Sequence, residues 1–264
     1  MSWFERVLRY LGVYKLYEKW LERAVKANYR SLPQHIGVIL DGNRRWSQKR
    51  RVPLEEGYRI GAKNVEKLLD WCLRLGIKTL TIYVFSTENF KRKSDEIEAV
   101  MKVVEETLLR ALNDERIQRN GVRIKALGRI WLLPSHIQKL LYKLEEITAK
   151  YSNYYLNIAV AYGGRAEIID AIKQLTSLVL EGKVKPEEIN EELFERFLYT
   201  SHLPNPHPDL IIRTSGEERL SGFLLWQSAY SELCFLDAYW PEFRYIDLLR
   251  AIRTYQKRQR RFGS

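Results

Sequence analysis

Asp41, Arg44 and Arg45 fall within five residues of one another, directly after the apolar run Ile36–Leu40. A carboxylate can hold a divalent cation, Gly42 lets the backbone approach a phosphate, and two guanidiniums can clamp phosphate oxygens. Asn43 and Trp46 add an amide and an indole to the same stretch. Metal ligand and phosphate donors together are what a magnesium–diphosphate substrate requires. The plainer alternative is an ordinary turn with solvated basic residues.

Three further segments carry comparable chemistry. Ser86-Thr87-Glu88-Asn89-Phe90-Lys91-Arg92 offers hydroxyls, a carboxylate, an amide, an aromatic ring and a guanidinium. Tyr162-Gly163-Gly164-Arg165 has glycines that allow close backbone approach at a helix start. Arg213 to Ser221 supplies two arginines, three hydroxyls and a glycine turn, a diphosphate cradle by inventory. Glu232 stands further on, as a second metal ligand or as a charge partner for these arginines. No GxxxxGK[ST] occurs, so a P-loop is excluded. No GxGxxG follows the first strand, which leaves dinucleotide binding unsupported. No Ser/His/Asp or Cys/His arrangement makes a persuasive nucleophilic triad. His202 and His207 lie among prolines, which reads as a fixed loop rather than a metal site.

These segments need a frame that holds them together. Ile36–Asp41 reads as a first strand, Tyr58–Leu75 as a helix ended by Gly76, and Ile77–Ser86 as a second strand. A helix follows from Ser94, as a candidate N-cap, to about Asn113. Val122–Leu127 is the third strand. Pro134 opens a helix to about Lys150, and Leu156–Ala161 is the fourth strand. Helices over Gly164–Leu180 and Pro186–Leu198 precede strands at Leu210–Arg213 and Leu233–Leu236, and a basic helix begins near Ile246. Strands alternating with helices predict one α/β domain, residues 33–264, with a six-stranded, mostly parallel sheet flanked by helices. Loops after the carboxyl ends of such strands form the mouth where ligands bind. Apolar stretches in excess of what surface helices need could line a hydrophobic tunnel, although plain core is the commoner use.

Residues 1–32 read as an amphipathic helical extension. Trp3, Phe4, Val7, Leu8, Leu11, Tyr14, Tyr17 and Leu21 make an apolar stripe, and seven Lys or Arg occur in the first 30 residues. Such a helix can lie on an anionic bilayer or dock on the domain. The net charge of +11 favours an anionic partner. No zinc-finger spacing or RNP motif appears, so nucleic acid is not expected. Cys72 and Cys234 lack CxxC spacing and read as free thiols in a reducing compartment. No N-x-S/T sequon, signal peptide or apolar run of spanning length occurs, which points to the cytoplasm, with at most peripheral contact at the inner face of the membrane.

The chain resembles the cis-prenyltransferases that make undecaprenyl and dehydrodolichyl diphosphate. The segments that carry the resemblance are 35–46, 83–90, 156–165, 209–217 and 223–233, followed by Trp240-Pro241 and the closing 260–263. The resemblance implies an enzyme that condenses isopentenyl diphosphate onto an allylic diphosphate primer, with magnesium, as a homodimer, to give a polycis-polyprenyl diphosphate that serves as a glycosyl carrier lipid. Asp41 would hold the magnesium and be catalytic with Ser86 and Asn89. Gly42, Asn43, Arg44 and Arg45 would bind the primer diphosphate, with Trp46 beside the chain. Ser86, Thr87, Glu88 and Asn89 would surround the reacting carbons, Phe90 would pack on the chain and Arg92 would help hold diphosphate. Arg213, Arg219, Leu220 and Ser221 would take isopentenyl diphosphate, with Glu232 completing its metal site. Arg261 and Gly263 resemble a tail motif that reaches the site across the dimer. Leu54 and Tyr58 depart from the arginine and histidine usual in bacterial members, which leans toward an archaeal type primed by geranylgeranyl rather than farnesyl diphosphate. A non-catalytic activating subunit is the alternative, but such subunits lose the aspartate and arginines present here.

Overall fold

The computed structural model describes residues 13–258. The strands are β1 (His35–Ile39), β2 (Thr79–Ser86), β3 (Val122–Leu127), β4 (Tyr154–Tyr162), β5 (Leu210–Arg213) and β6 (Glu232–Phe235). The helices are α1 (Val13–Ala27), α2 (Asn43–Arg50), α3 (Leu54–Leu75), α4 (Ser94–Leu112), α5 (Glu115–Asn120), α6 (Ser135–Thr148), α7 (Gly164–Leu180), α8 (Glu191–Glu195) and α9 (Tyr245–Lys257). The six strands form one sheet in the order β3-β4-β2-β1-β5-β6. Every pairing is parallel.

Central β1 is buried along its whole length, whereas the edge strand β6 is only half-buried. That gradient is the signature of a parallel sheet covered on both faces. On one face Ile36, Val38, Leu80, Ile82, Ile124 and Ile212 join the main core with residues of α3, α4, α6 and α9. On the other, Ile39, Tyr83, Leu127, Ala159 and Ile211 pack against Phe223 and Leu224. Beyond them lies a smaller cluster of α7 with Phe194 and Leu198.

Several boundaries differ from the sequence reading. Asp41–Trp46, read as a loop, turns directly into α2, an eight-residue helix with almost no apolar content. Gly42, at φ 105°, occupies its N-cap, and α2 is held by packing on α3 rather than by propensity. Ser94 is the first residue of α4, with Lys93 at the cap position, so its hydroxyl does not cap the helix. The helix expected over Pro186–Leu198 is broken at Asn190, whose extended backbone and side-chain bond to Leu193 N start α8 afresh. The short α5 was missed because five polar residues around the single apolar Ile117 carry no periodicity.

The described part of the N-terminal extension is a docked helix. Leu21 and Val25 of α1 are fully buried, Gln256 of α9 donates to Val25 O and Asn28 O at 3.0 Å, and Glu22 pairs with Arg74 of α3. The opposite face leaves Leu16 69% and Trp20 59% exposed. The stripe read over Trp3 to Leu11 lies outside the described residues.

Packing of α2 on α3 sets the mouth of the site. A Cβ added to Gly61 would lie 2.3 Å from Asn43 Oδ1 and 3.0 Å from Trp240 Cδ1. Gly61→Ala is therefore expected to destabilise the protein by about 1–3 kcal/mol, the usual cost of overpacking. Denaturant unfolding checks this, and a variant as stable as the parent would mean that α2 yields freely.

Candidate active site

The carboxyl ends of β1, β2 and β5 converge on one cavity of about 300 Å³. Its wall contains Asp41, Gly42, Asn43, Arg44, Arg45, Tyr58, Ser86, Asn89, Arg92, Arg213 and Ser221. Arg213 ends β5 opposite Ile39 of β1, which places its guanidinium beside the residue two further along, Asp41. Arg213 Nη2 donates to Asp41 Oδ2 at 2.8 Å, and Nη1 donates to Ser221 Oγ at 2.8 Å and to the carbonyl of Arg219. Its Nε is buried without a protein partner among the described residues. Arg45 reaches Ser215 Oγ at 2.6 Å, Glu217 Oε1 at 3.0 Å and Asp41 Oδ1 at 3.4 Å.

The loop after β5 is strained to make this possible. Ser215 and Ser221 sit at φ 83° and 49°, each followed by a glycine at positive φ. Non-glycine residues there cost on the order of 1–3 kcal/mol each, which the surrounding contacts must offset. Both serines face the arginines, so the strain is spent on aiming their hydroxyls.

Burial pushes the Asp41 carboxyl up, but Arg213, Ser215 and Arg45 outweigh it and hold the group below the usual carboxylate range. It is therefore ionised at neutral pH. No group of three or more His, Cys, Asp or Glu side chains is placed to cage a metal among the described residues. One carboxylate on a cavity wall suits magnesium, which is usually held by one or two carboxylates together with substrate phosphates.

A second cluster guards the other side of the mouth. Glu96, 6% exposed, pairs with Arg92 at 2.8 Å and Arg44 at 3.3 Å, and Tyr58 donates to it at 3.2 Å. Burial, then the Glu96 charge, pushes the Tyr58 hydroxyl up to about 12, so it stays a donor. The positions that depart from the bacterial pattern thus differ in kind. Tyr58 lines the mouth, whereas Leu54 lines neither cavity. Glu96 was missed as a site residue. Its spacing of four from Arg92 was the available signal.

Ser86 and Asn89 close a reciprocal cap on each other. Asn89 N donates to Ser86 Oγ at 3.2 Å, and Ser86 N to Asn89 Oδ1 at 3.0 Å. The Asn89 amide oxygen is thereby committed and its NH2 remains to donate. Thr87 packs against Gly163, where a Cβ would lie 2.6 Å from its Oγ1, and Glu88 is exposed. Phe90 stands edge-on to Phe85 at 5.0 Å.

Other predicted residues fall elsewhere. Trp46 Nε1 donates to Glu242 at 3.2 Å, under the guanidinium of Arg50, and lines neither cavity. Arg219 is largely exposed and paired with Glu217. Leu220 packs on the Phe223 cluster. Glu232 lies at the amino end of β6, beside Leu210, where it pairs with Arg258 at 2.5 Å. Asp41 follows the opposite end of the sheet, so one chain does not bring these two carboxylates together. His202 contacts Asn157 and His207 contacts Glu195, so they do not converge. Arg261 and Gly263 lie outside the described residues.

A second cavity of about 320 Å³ lies beside it, between α3, α4 and the sheet. Leu40, Asn43, Tyr58, Val84 and Val100 line both. The deeper space is walled by side chains such as Val65, Leu69, Val103, Val104, Leu108, Ile117, Ile124 and Leu156.

An arginine-rich mouth beside an apolar pocket, on a doubly covered parallel sheet, suits an anionic head on an apolar chain. The undecaprenyl diphosphate synthase model matches residues 39–263. A tritrans,polycis-undecaprenyl-diphosphate synthase (geranylgeranyl-diphosphate specific) of Thermococcus kodakarensis is 52% identical, over 95% of this chain and 94% of the relative. The equally named protein of Methanocaldococcus jannaschii is 50% identical, over 98% of this chain and 92% of the relative. The crystal structure of lavandulyl diphosphate synthase from Lavandula x intermedia, in complex with dimethylallyl diphosphate, superposes with a TM-score of 0.86 at 35% identity. It covers 89% of this chain and all of that one. The chain belongs to the undecaprenyl diphosphate synthase family of prenyltransferases, and its chemistry is prenyl transfer.

Proposed function

We propose that the protein elongates geranylgeranyl diphosphate with isopentenyl diphosphate to a long-chain polycis product, with magnesium bound through Asp41. The observation that carries this reading is the shared wall of the two cavities, which sets an apolar space beside a diphosphate held at the mouth. The primer specificity printed in the relatives' names supports the choice of primer.

In this reading Arg44 and Arg45, at the start of α2, hold the allylic diphosphate, and the guanidinium of Arg92 joins them. Arg213 and Ser221 hold the isopentenyl diphosphate on the other side of Asp41. Magnesium supplies charge neutralisation at the departing diphosphate. The arginines add fixed positive charge where negative charge develops on that group. The isopentenyl double bond forms the new carbon–carbon bond as the allylic carbon–oxygen bond breaks. A proton then leaves the adjacent carbon. Asn89 has its amide oxygen committed, so a phosphate oxygen of the substrate is the better acceptor, with the Asn89 NH2 and Ser86 O–H orienting it. Purified protein with magnesium, labelled isopentenyl diphosphate and geranylgeranyl diphosphate should yield chain-extended lipid. No extended product with either geranylgeranyl or farnesyl primer would reject the reading.

The homodimer and the tail belong to the same proposal. The half-exposed edge strand β6 offers the surface, and a partner's Arg261–Gly263 segment would complete the mouth. Removing residues 262–264 should cut turnover without changing the sedimentation coefficient. A fully active trimmed protein would exclude this role for the tail.

We also assign the exposed face of α1 to contact with an anionic bilayer, where so apolar a product must be delivered. No helix among the described residues is long and apolar enough to cross a membrane. Lys15, Lys19 and Arg23 accompany the exposed Leu16 and Trp20. Basic residues near an anionic leaflet contribute about 1 kcal/mol each, and salt screens them. Leu16→Ser/Trp20→Ser leaves the buried Leu21 and Val25 untouched. It should sediment with anionic vesicles at low salt several-fold less than the parent, and equal sedimentation would leave α1 a purely docked helix.

A further inference from the structure

Strands β2 and β4 lose their regular pairing next to the site. Tyr83 faces Ala159 and Phe85 faces Val160, so Val84 is an extra residue on β2. Ser86 then faces Tyr162, so Ala161 is an extra residue on β4, and it takes φ 49°. Side chains of a regular strand alternate between faces, which would put Phe85 on the face of Tyr83. An extra residue shifts that alternation by one. Phe85 lies in the main core with Leu80 and Ile82, Tyr83 belongs to the cluster on the other face, and Ser86 takes the place beside Tyr83 that Phe85 vacates. The second irregularity does the same for Tyr162, which joins Tyr83 and Ala159.

Both irregularities converge on one hydroxyl. Tyr83 Oη donates to the carbonyl of Tyr162 at 3.3 Å and to that of Ser221 at 3.4 Å, one hydrogen shared between two acceptors. The side chains of Ser86 and Arg213 face the same hydroxyl. Tyr83 is 7% exposed and still reaches the wall of the mouth. Burial, then the Glu88 charge, pushes its hydroxyl above the usual range, so it stays protonated and donates.

The ring adds a second hold. Tyr83 stacks on Phe223 at 4.9 Å, with 15° between the planes. Phe223 is seated over Gly37, where a Cβ would lie 2.9 Å from Phe223 Cε1. Just before Phe223 comes the turn Ser221-Gly222, with φ 49° and 80°. Both of its carbonyls are held, Ser221 O by Tyr83 and Gly222 O by Gly164 N at 2.7 Å, at the start of α7. A serine in the left-handed region needs such outside support. Ser221 Oγ in turn accepts from Arg213 Nη1 at 2.8 Å.

Taking Ser221 and Arg213 as the holders of the isopentenyl diphosphate, we propose that Tyr83 is a positioning residue for that site. Its hydroxyl and ring clamp the turn from Ser221 to Phe223, which fixes the Ser221 hydroxyl and, through it, the Arg213 fork. Tyr83→Phe keeps the ring on Phe223 and removes only the hydroxyl. It should raise KM for isopentenyl diphosphate about tenfold, the cost of one lost hydrogen-bond partner, and KM for the primer by less than about twofold. In a Ser221→Ala background no hydroxyl is left to aim, so the same substitution should change KM for isopentenyl diphosphate by less than about twofold, whereas a residue that only supports the fold would add its full effect in both backgrounds. A KM that rises in Ser221→Ala but not in Tyr83→Phe, or effects that add in the double variant, would overturn the clamp alone. An unchanged KM in Ser221→Ala would reject the reading of Ser221 and the clamp with it, so the two failures are distinct. If Tyr83→Phe does not fold, Phe223→Leu decides, because it removes the ring on which Tyr83 leans and keeps the hydroxyl. It should raise the same KM severalfold, and an unchanged value rejects the clamp.

Discussion

Asp41→Ala should lower turnover by at least two orders of magnitude. Asp41 is the carboxylate at the junction of the two arginine groups, and its donors keep it ionised against the effect of burial. Losing one preorganised electrostatic group costs about 3 kcal/mol of barrier or more, and each 1.36 kcal/mol is tenfold in rate. The substitution also leaves Arg213, 4% exposed, with one acceptor fewer. A fair comparison therefore includes Asp41→Asn, which keeps a hydrogen-bond acceptor but no charge. Both variants should be inactive by steady-state assay in magnesium buffer while circular dichroism shows the parental fold. The pH dependence follows from the same geometry. A carboxyl held below the ordinary range stays charged as pH falls through that range, so Asp41 contributes no loss of kcat between pH 7 and 5. Activity of Asp41→Asn within tenfold of the parent would remove the carboxylate from the chemistry.

Arg213→Ala should raise KM for isopentenyl diphosphate by roughly 10- to 100-fold, and that for the primer much less. Charge-assisted contacts are worth about 1.5–3 kcal/mol each. The guanidinium of Arg213 is buried, aimed by Ser221 and the Arg219 carbonyl, and reaches the cavity wall. Arg219, exposed and already paired with Glu217, should matter far less when replaced by alanine. Arg213→Lys should not rescue, because an ammonium cannot donate in the same fork to Asp41 and Ser221. Equal effects on both substrates would mean that the two diphosphates are not divided by Asp41. Burial of the Asp41 carboxyl also loses its main counterweight in this variant. Its pKa should therefore rise, and an acid limb absent from the parent should appear in the pH–rate profile.

Most of the frame was legible because its signals are local. Val122–Leu127, Gly164–Leu180 and Leu210–Arg213 have in the structure the bounds read from apolar runs and glycine starts. Alternation of strand and helix implied a parallel sheet, and a parallel sheet puts every strand's carboxyl end on one edge. That rule alone places Asp41, Ser86 and Arg213 near one another. It fails for Glu232, whose chemistry suits a metal but which begins a strand instead of following one. Its place just before the strand read at Leu233–Leu236 was legible in the sequence, and only its residue type suggested a metal.

Residue types and their spacing by themselves determined the fold class, the anionic ligand and the Asp41–Arg45 cluster, because each depends on neighbours within a few positions. Tertiary structure alone decided the rest. The Asp41–Arg213 bond joins residues 172 apart, through the register of β1 on β5. Glu96 became the anchor of Arg44, Tyr58 and Arg92 only because α4 starts against α2 and α3. Apolar residues of α3 and α4 look the same in sequence whether they fill a core or wall a cavity. The difference lies in how far apart two packed helices stand, a distance set by the side chains between them and by the ion pairs along their outer edge.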